Sequence, residues 1–168
     1  MSNHHTSYVV QTASLADIEL IRELCMQVWP QTYSSILTEE QLAYMLEWMY
    51  SPASLAQQMK EGATFLLLYQ EQTPIGYASY QSLQASHFKL HKLYVLPHVQ
   101  GKGAGRIFLT DLLQRIKGLG AHTLELQVNR YNKAVGFYQQ MGFTIRETAD
   151  IEIGNGFYMN DYIMQIAL

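Results

Sequence analysis

Three glycines, at positions 101, 103 and 105, stand next to the cationic side chains of Lys102 and Arg106 in the segment LYVLPHVQGKGAGR, residues 93–106. This segment is typical of a strand, a loop and the start of a helix. Glycines let backbone N–H groups approach a ligand closely, and a helix N-terminus adds partial positive charge, so the segment suits an anion such as pyrophosphate. The same glycines also fit a plain strand-to-helix turn, in which they only relieve backbone strain.

Spacing excludes two familiar phosphate-binding loops. A P-loop needs a glycine five residues before its Gly-Lys pair and a Ser or Thr after it, whereas this chain has Leu96 and Gly103 there. The dinucleotide fingerprint GxGxxG needs a third glycine where this chain has Arg106. The loop therefore indicates an anion site of another kind.

The pattern that fits is Gln-x-x-Gly-x-Gly, from Gln100 to Gly105, and it resembles the GNAT superfamily of acyl-CoA-dependent N-acetyltransferases. The preceding segment, residues 93–97, is similar to the strand that enters this loop in the family. Downstream, NKAVGFYQQMGF, residues 132–143, resembles the second family signature, an asparagine followed by Ala, Phe-Tyr and a closing Gly-Phe. Spacing and order agree from about Thr64 to Leu168.

Three further segments are similar to a bacterial subgroup near the polyamine acetyltransferase PaiA: residues 32–37, MLEWMY at 45–50 and NDYIM at 160–164. The resemblance implies acetyl-CoA as co-substrate, a strand whose backbone pairs with the pantetheine arm, and loop amides that hold the pyrophosphate. The cofactor-binding residues it implies are Leu93, Tyr94, Val95, Gln100, Gly101, Lys102, Gly103, Ala104, Gly105, Arg106, Asn132, Lys133, Ala134, Phe137 and Tyr138.

Tyr138 matches the tyrosine that family members place near the thioester sulfur, which makes it the predicted general acid. A departing thiolate needs a proton, and a Tyr hydroxyl with a free pKa of ~10 can supply one. An oxyanion also forms at the thioester carbonyl, and a backbone amide of a splayed strand can stabilise it. The alternative for Tyr138 is a ring that only packs against the sheet.

An alkylammonium must lose a proton before its nitrogen attacks, because alkylamines have pKa values of ~10. His91 occupies a strand position at which some family members carry a base, on the same predicted strand face as Leu93. The alternative is a half-buried histidine that only packs. Glu125 and Glu47 are further candidates for the base.

We expect Tyr33 and Glu47 to contact the acceptor, Glu47 because a carboxylate attracts a cationic amine. No metal is predicted, since His87, His98 and His122 lack ligand spacing and His4 and His5 fall in an expected frayed terminus. Cys25 is the only cysteine and lies on an apolar helix stripe, so it is expected in the core and not as an acyl carrier.

The elements that must position these residues follow from apolar periodicity and capping. One helix begins at Ser14–Asp17 and is expected to end near Trp29-Pro30, because proline disfavours helix before it. The strand from Phe88 to Val95 is expected to alternate, with Leu90, Lys92 and Tyr94 on one face. The remaining predicted strands are 8–12, 64–69, 75–80, 123–128, 143–150 and 158–167, and the remaining helices begin at Thr38 and Ser51 and span 103–117 and 132–141.

This order predicts an α/β fold of the GNAT type, a mixed and mostly antiparallel sheet with splayed central strands and helices on both faces. With 168 residues, no repeat and no linker, residues 1–168 are expected to form a single N-acetyltransferase domain. Charged residues make up 15% and the net charge is −3, which argues against nucleic acid as a partner. No apolar run is long enough for a membrane span and no leader is evident, so we expect a cytoplasmic protein, with a homodimer as an open possibility.

The leading hypothesis is acetyl transfer from acetyl-CoA to a primary amine, with a small amine or polyamine favoured, by direct transfer in a ternary complex. Two alternatives stay open: a non-catalytic module that binds acyl-CoA, and an enzyme that acetylates protein or peptide amines.

Overall fold

The structure, a computed structural model, describes residues 6–168, so His4 and His5 lie outside the described residues. Seven strands and five helices alternate along the chain: β1 (Tyr8–Thr12), α1 (Ile18–Tyr33), α2 (Glu39–Tyr50), α3 (Pro52–Lys60), β2 (Thr64–Gln70), β3 (Thr73–Gln84), β4 (His87–Val95), α4 (Ala104–Gly118), β5 (Thr123–Asn129), α5 (Ala134–Gln140), β6 (Thr144–Gly154) and β7 (Phe157–Ala167). The predicted elements are therefore confirmed, with several strands longer than expected. No helix within residues 6–168 is long and apolar enough to cross a membrane.

The strands form one sheet in the order β1-β2-β3-β4-β5-β7-β6. Every neighbouring pair is antiparallel except β4 and β5, which run parallel because α4 connects them as a crossover. Residues 65–68 of β2 are buried on both faces. The helices α1–α3 cover one face, and α4, which packs against β4 and β1, covers the other. The mixed, mostly antiparallel fold predicted from the sequence is confirmed.

Helix α1 does not end near Pro30 as predicted. It continues to Tyr33, with Pro30 inside its last turn, and the Pro30 carbonyl accepts a hydrogen bond from Ser34 N at 3.1 Å. Trp29 and Tyr33, one turn apart, are both buried, and their ring centroids are 4.7 Å apart. Packing of these two rings in the core outweighs the backbone hydrogen bond that proline removes.

The predicted alternation of β4 is wrong at one residue. Ser79 of β3 pairs with Lys92 and the next residue, Tyr80, pairs with Leu90, so His91 has no partner on β3 and forms a β-bulge. As a result His91 and Lys92 both point toward α3, and Leu90 lies on the opposite face with Tyr80. The bulge lies next to the site described below.

Candidate active site

The strands β4 and β5 separate in the middle of the sheet. Their pairing runs only from His87 opposite Thr123 to Leu90 opposite Leu126, and the residues beyond make no pairs with each other. A cavity of about 1020 Å³ occupies this gap and is lined by residues 89–95 of β4 and 126–129 of β5. The β5-facing edge of β4 is therefore free to pair with an extended ligand, as predicted for Leu93, Tyr94 and Val95.

The glycine loop forms one end of this cavity. Gly101 and Gly103 have φ values of +78° and +89°, and a Cβ at either position would meet no protein atom within 4 Å. Both glycines are needed for their backbone conformation, and both face open space. Gly103 is also the N-cap of α4, whose first N–H groups receive no side-chain cap, so this end of the helix can bind an anion.

Most of the predicted loop residues line the cavity: Gln100, Gly101, Gly103, Gly105 and Arg106. Lys102 is exposed and Ala104 is buried in the core, and neither contributes to the lining. The Gln100 side chain donates to the Val95 carbonyl at 3.1 Å, so it fixes the loop against the end of β4.

The first half of α5 lies next to the glycine loop and also lines the cavity. The Asn132 side chain accepts a hydrogen bond from Ala134 N at 2.9 Å, which forms a turn directly before the helix, and the helix begins two residues later than predicted. Asn132, Lys133, Ala134, Phe137 and Tyr138 all line the cavity. A Cβ added at Gly105 would lie 3.6 Å from the Phe137 ring, so α4 and α5 meet at the anion-binding end.

Tyr138 of α5 is a buried residue that lines the cavity. It is 7% exposed, and its ring packs between Phe137 and Phe143, at centroid distances of 5.3 and 5.4 Å. Its hydroxyl makes no hydrogen bond to the protein within residues 6–168. Burial, with a smaller contribution from Tyr33, raises the pKa of Tyr138 well above its ordinary value, so this hydroxyl keeps its proton at neutral pH.

Tyr33, the last residue of α1, also lines the cavity. Its hydroxyl and that of Tyr94 are 2.9 Å apart, and both rings pack against Trp29. Burial raises the pKa of Tyr33 to about 12, so it too is a neutral hydrogen-bonding group. That Tyr33 contacts the acceptor stays a prediction.

Helix α2 and the β6–β7 hairpin close one side of the cavity. The Tyr44 hydroxyl donates to the Ile153 carbonyl and the Gln41 amide donates to the Tyr158 carbonyl, both at 2.7 Å. The wall that they form is largely apolar and includes Met45, Met49, Ile151, Ile153 and Met159. Glu47, predicted to attract the amine, is exposed and lines a separate cavity of about 270 Å³ beside Arg22 and Cys25.

His91 and Lys92 lie at the α3 side of the cavity. His91 Nε2 is 3.0 Å from the Gln81 side-chain oxygen, and Lys92 Nζ donates to the Gln58 side chain at 2.6 Å. Burial and the charges of Lys92 and Lys89 lower the pKa of His91 to about 4, so the ring is neutral at pH 7. Burial lowers the pKa of Lys92 to about 8.

Asp161 is a cavity residue that the sequence reasoning missed. It is 2% exposed, it lines the cavity from β7, and its Oδ2 has no hydrogen-bond partner. The available signal was an acidic residue inside a strand otherwise rich in apolar and aromatic residues, where a buried carboxylate is rare. Within the described part of the chain, no three His, Cys, Asp or Glu side chains gather as a metal would require.

The model of the acetyltransferase (GNAT) domain matches residues 34–165. The chain is 26% identical over 148 residues to a spermidine N(1)-acetyltransferase of Thermoplasma acidophilum, covering 84% of this chain and 91% of that protein. It is 29% identical over 119 residues to the ribosomal protein bS18-alanine N-acetyltransferase of Haemophilus influenzae, covering 71% and 76% of the two chains. These relatives act on different amines.

Among solved structures, the chain is similar to the PaiA N-acetyltransferase of Thermoplasma acidophilum in complex with coenzyme A. The TM-score is 0.81 at 25% sequence identity, and the match covers 96% of this chain and 99% of the other.

Proposed function

Because the chain belongs to the GNAT acetyltransferase family, we propose that it transfers the acetyl group of acetyl-CoA directly to a primary amine of a small molecule. The observation that carries this proposal is one continuous cavity. It joins an uncapped helix N-terminus, an open strand edge and the buried Tyr138 hydroxyl. The structure of a relative bound to coenzyme A supports this cofactor.

Each part of the cavity has a role in this reaction. The N–H groups at residues 101–106, together with Arg106, bind the pyrophosphate, and the free edge of β4 pairs with the pantetheine arm. When bound, acetyl-CoA supplies an acetyl thioester in the gap between the strands. A β4 amide in this gap stabilises the oxyanion, and Tyr138 gives its proton to the departing sulfur.

Direct transfer agrees with the position of the thiol. Cys25 is 1% exposed, and burial raises its pKa to about 12, so almost none of it is thiolate at neutral pH. It contributes to the smaller cavity and not to the lining of the large one. The acetyl group therefore has no nucleophilic cysteine to receive it before the amine.

A small acceptor is favoured by the closure of the cavity between α2 and the β6–β7 hairpin. The acetylation of spermidine by one relative supports an aliphatic amine, and we include polyamines in this proposal. His91, the sequence's candidate base, lines the cavity at its α3 side. A pKa of about 4 makes it a weak proton acceptor, so we propose that its role is to position other groups in the acceptor pocket.

A panel of amines tests the proposal by the release of coenzyme A from acetyl-CoA. The panel contains spermidine, spermine, alkyl monoamines, amino acids, aminoglycosides, a lysine peptide and a peptide with an N-terminal alanine. We expect release with at least one small amine and none with either peptide. Binding of acetyl-CoA without release for any amine would support the non-catalytic module, and release with a peptide alone would support a protein acetyltransferase.

A further inference from the structure

Asp161 stands where β7 passes the open end of β5. Its partner in the sheet is Asn129, three residues beyond Leu126, at which the pairing of β5 with β4 stops. The side chain is therefore beside the gap that holds the thioester in the proposed function. It reaches this position from β7, which lies on one side of β5 while β4 lies on the other.

Among the residues that the structure describes, no cationic side chain forms an ion pair with this carboxylate. Its Oδ2 is shielded from solvent and, within residues 6–168, has no hydrogen bond. A buried and unpaired carboxylate is unfavourable, and an incoming cation that supplies N–H donors removes that cost.

The charged and titratable groups around it come from four elements. Arg130, just after β5, and Lys89 of β4 favour its ionised form, whereas Asp150 of β6 opposes it. Tyr33 of α1 also lies within range of its charge. Arg130 Nη2 binds the Asp150 carboxylate at 2.8 Å, whereas its Nη1 is buried and, within residues 6–168, has no hydrogen-bond partner.

Other cavity residues point to the same location for a cationic group. Within residues 6–168, the only other acidic residue in the lining is Glu61, which lies at the end of α3 beside Gln81. Lys92 lies near that end and repels a cation, and the wall from α2 is apolar. Lys89 and Arg130 also lie within range of Asp161, but Asp161 is buried and Glu61 is exposed, so solvent screens the attraction of an ammonium less at Asp161.

We propose that the Asp161 carboxylate binds the ammonium group of the acceptor amine and takes the proton that this group must lose before it attacks the thioester. The proposal rests on the proposed function and identifies the part of the site that selects a protonated amine. Burial raises the pKa of Asp161 to about 6, so it is ionised at neutral pH and is a stronger base than His91.

The protons balance in this step. The ammonium gives one proton to Asp161, and the free amine forms a bond to the carbonyl carbon. When the carbon–sulfur bond breaks, Tyr138 protonates the sulfur and the new amide nitrogen loses its second proton, which restores the Tyr138 hydroxyl. The proton on Asp161 then leaves to solvent, so one proton is released for each acetyl group transferred.

The test measures binding of two amines to the protein in complex with coenzyme A, by calorimetry at about pH 8.5. One amine is n-hexylamine, which is protonated, and the other is its 2,2-difluoro analogue, which has nearly the same shape and is mostly neutral. Asp161→Asn keeps the shape of the side chain and removes its charge. Its affinity for hexylamine should fall by about 30-fold or more, whereas its affinity for the difluoro analogue should change less than about threefold.

Glu61→Gln is the matched control. It removes the charge of the other acidic residue of the lining, which is exposed at the end of α3, so it should change the affinity for either amine less than about threefold. If Asp161 serves only to balance Arg130, Asp161→Asn will lower the melting temperature and weaken both amines equally, and the proposal is wrong. Equal affinity of the variant and the wild type for hexylamine would also overturn it.

A second measurement needs only the wild type, so it decides even if the variant does not fold. Protonation of Asp161 removes its charge, so hexylamine affinity should fall tenfold for each pH unit below about 6. A flat profile from pH 5 to 8 would overturn the proposal. Amine binding that follows this profile without any acetyl transfer would support Asp161 while refuting the proposed function, so the two failures are distinguishable.

Discussion

Replacing Tyr138 with Phe removes a single hydroxyl from the proposed site. Because that hydroxyl makes no hydrogen bond to the protein within residues 6–168, its loss leaves no buried partner unsatisfied. The packing of the ring between Phe137 and Phe143 is retained. The free energy of unfolding should therefore change by less than about 1 kcal/mol, and the affinity for acetyl-CoA should be nearly unchanged.

Turnover should respond very differently. A positioned general acid contributes ~10²–10⁴ to the rate, which corresponds to roughly 3–5 kcal/mol in the barrier. Because the sulfur needs a proton only as its bond to carbon breaks, the loss should fall on kcat more than on the KM of the amine. Since burial holds the pKa of Tyr138 above its ordinary value, ionisation of this hydroxyl should not limit wild-type kcat below about pH 10.

Steady-state kinetics with the best amine of the panel measure this effect, and Tyr131→Phe is the matched control. Tyr131 also lines the cavity, but it is 71% exposed, so removal of its hydroxyl should change kcat less than about twofold. A Tyr138→Phe variant that keeps more than half of the wild-type kcat, with chemistry rate-limiting, would show that Tyr138 is a packing residue and refute the reasoning.

Three further predictions concern the loop, the bulge and the buried lysine. Gly103→Val should weaken acetyl-CoA binding at least about tenfold in calorimetry. Gly120→Val is the control: Gly120 has a similar φ of +93° and equally open surroundings but does not line the cavity, so this variant should carry the same strain of ~1–2 kcal/mol and keep its affinity. Equal losses of affinity in the two variants would remove the loop from the site. His91→Ala should lower kcat/KM by one constant factor from pH 6 to 9, because the ring is neutral throughout; a loss that grows toward low pH would instead indicate a proton relay. Burial lowers the pKa of Lys92 from 10.5 to about 8, so between these pH values the unfolded chain binds one more proton than the folded protein. From pH 8 to 10.5 the unfolding free energy of the wild type, measured by urea titration, should therefore rise by about 3 kcal/mol relative to that of Lys92→Met. A difference between the two proteins that stays constant with pH would contradict this.

Local patterns in the sequence were sufficient for most of the elements. Apolar runs and caps predicted every strand and helix, because those signals depend on near neighbours: Thr38 caps α2 by accepting from Gln41 N, and Ser51 and Pro52 begin α3. The extension of α1 past Pro30 could not be predicted in this way. It depends on the burial of Trp29 and Tyr33 against rings from distant parts of the chain.

The parts of the site whose backbone is fixed by a local motif could be predicted from the sequence. The parts that depend on pairing between strands could not. The glycine loop before α4 and the residues of α5 that line the cavity both follow from short motifs. The bulge at His91 arises from the register between β3 and β4, which no local pattern of residues 88–95 reveals. Asp161 was missed for the same reason, since its burial beside the cavity depends on where β7 pairs with β5.

The central claim is that this chain moves an acetyl group from acetyl-CoA to an amine. Incubation with acetyl-CoA labelled in its acetyl group, followed by mass spectrometry of the amines, tests it most directly. We expect a small amine to gain the labelled acetyl group, with one coenzyme A released for each group transferred and with the yield strongly reduced in Tyr138→Phe. Tight binding of acetyl-CoA with no labelled amine at any pH from 6 to 9 would contradict the claim and identify a binding module instead.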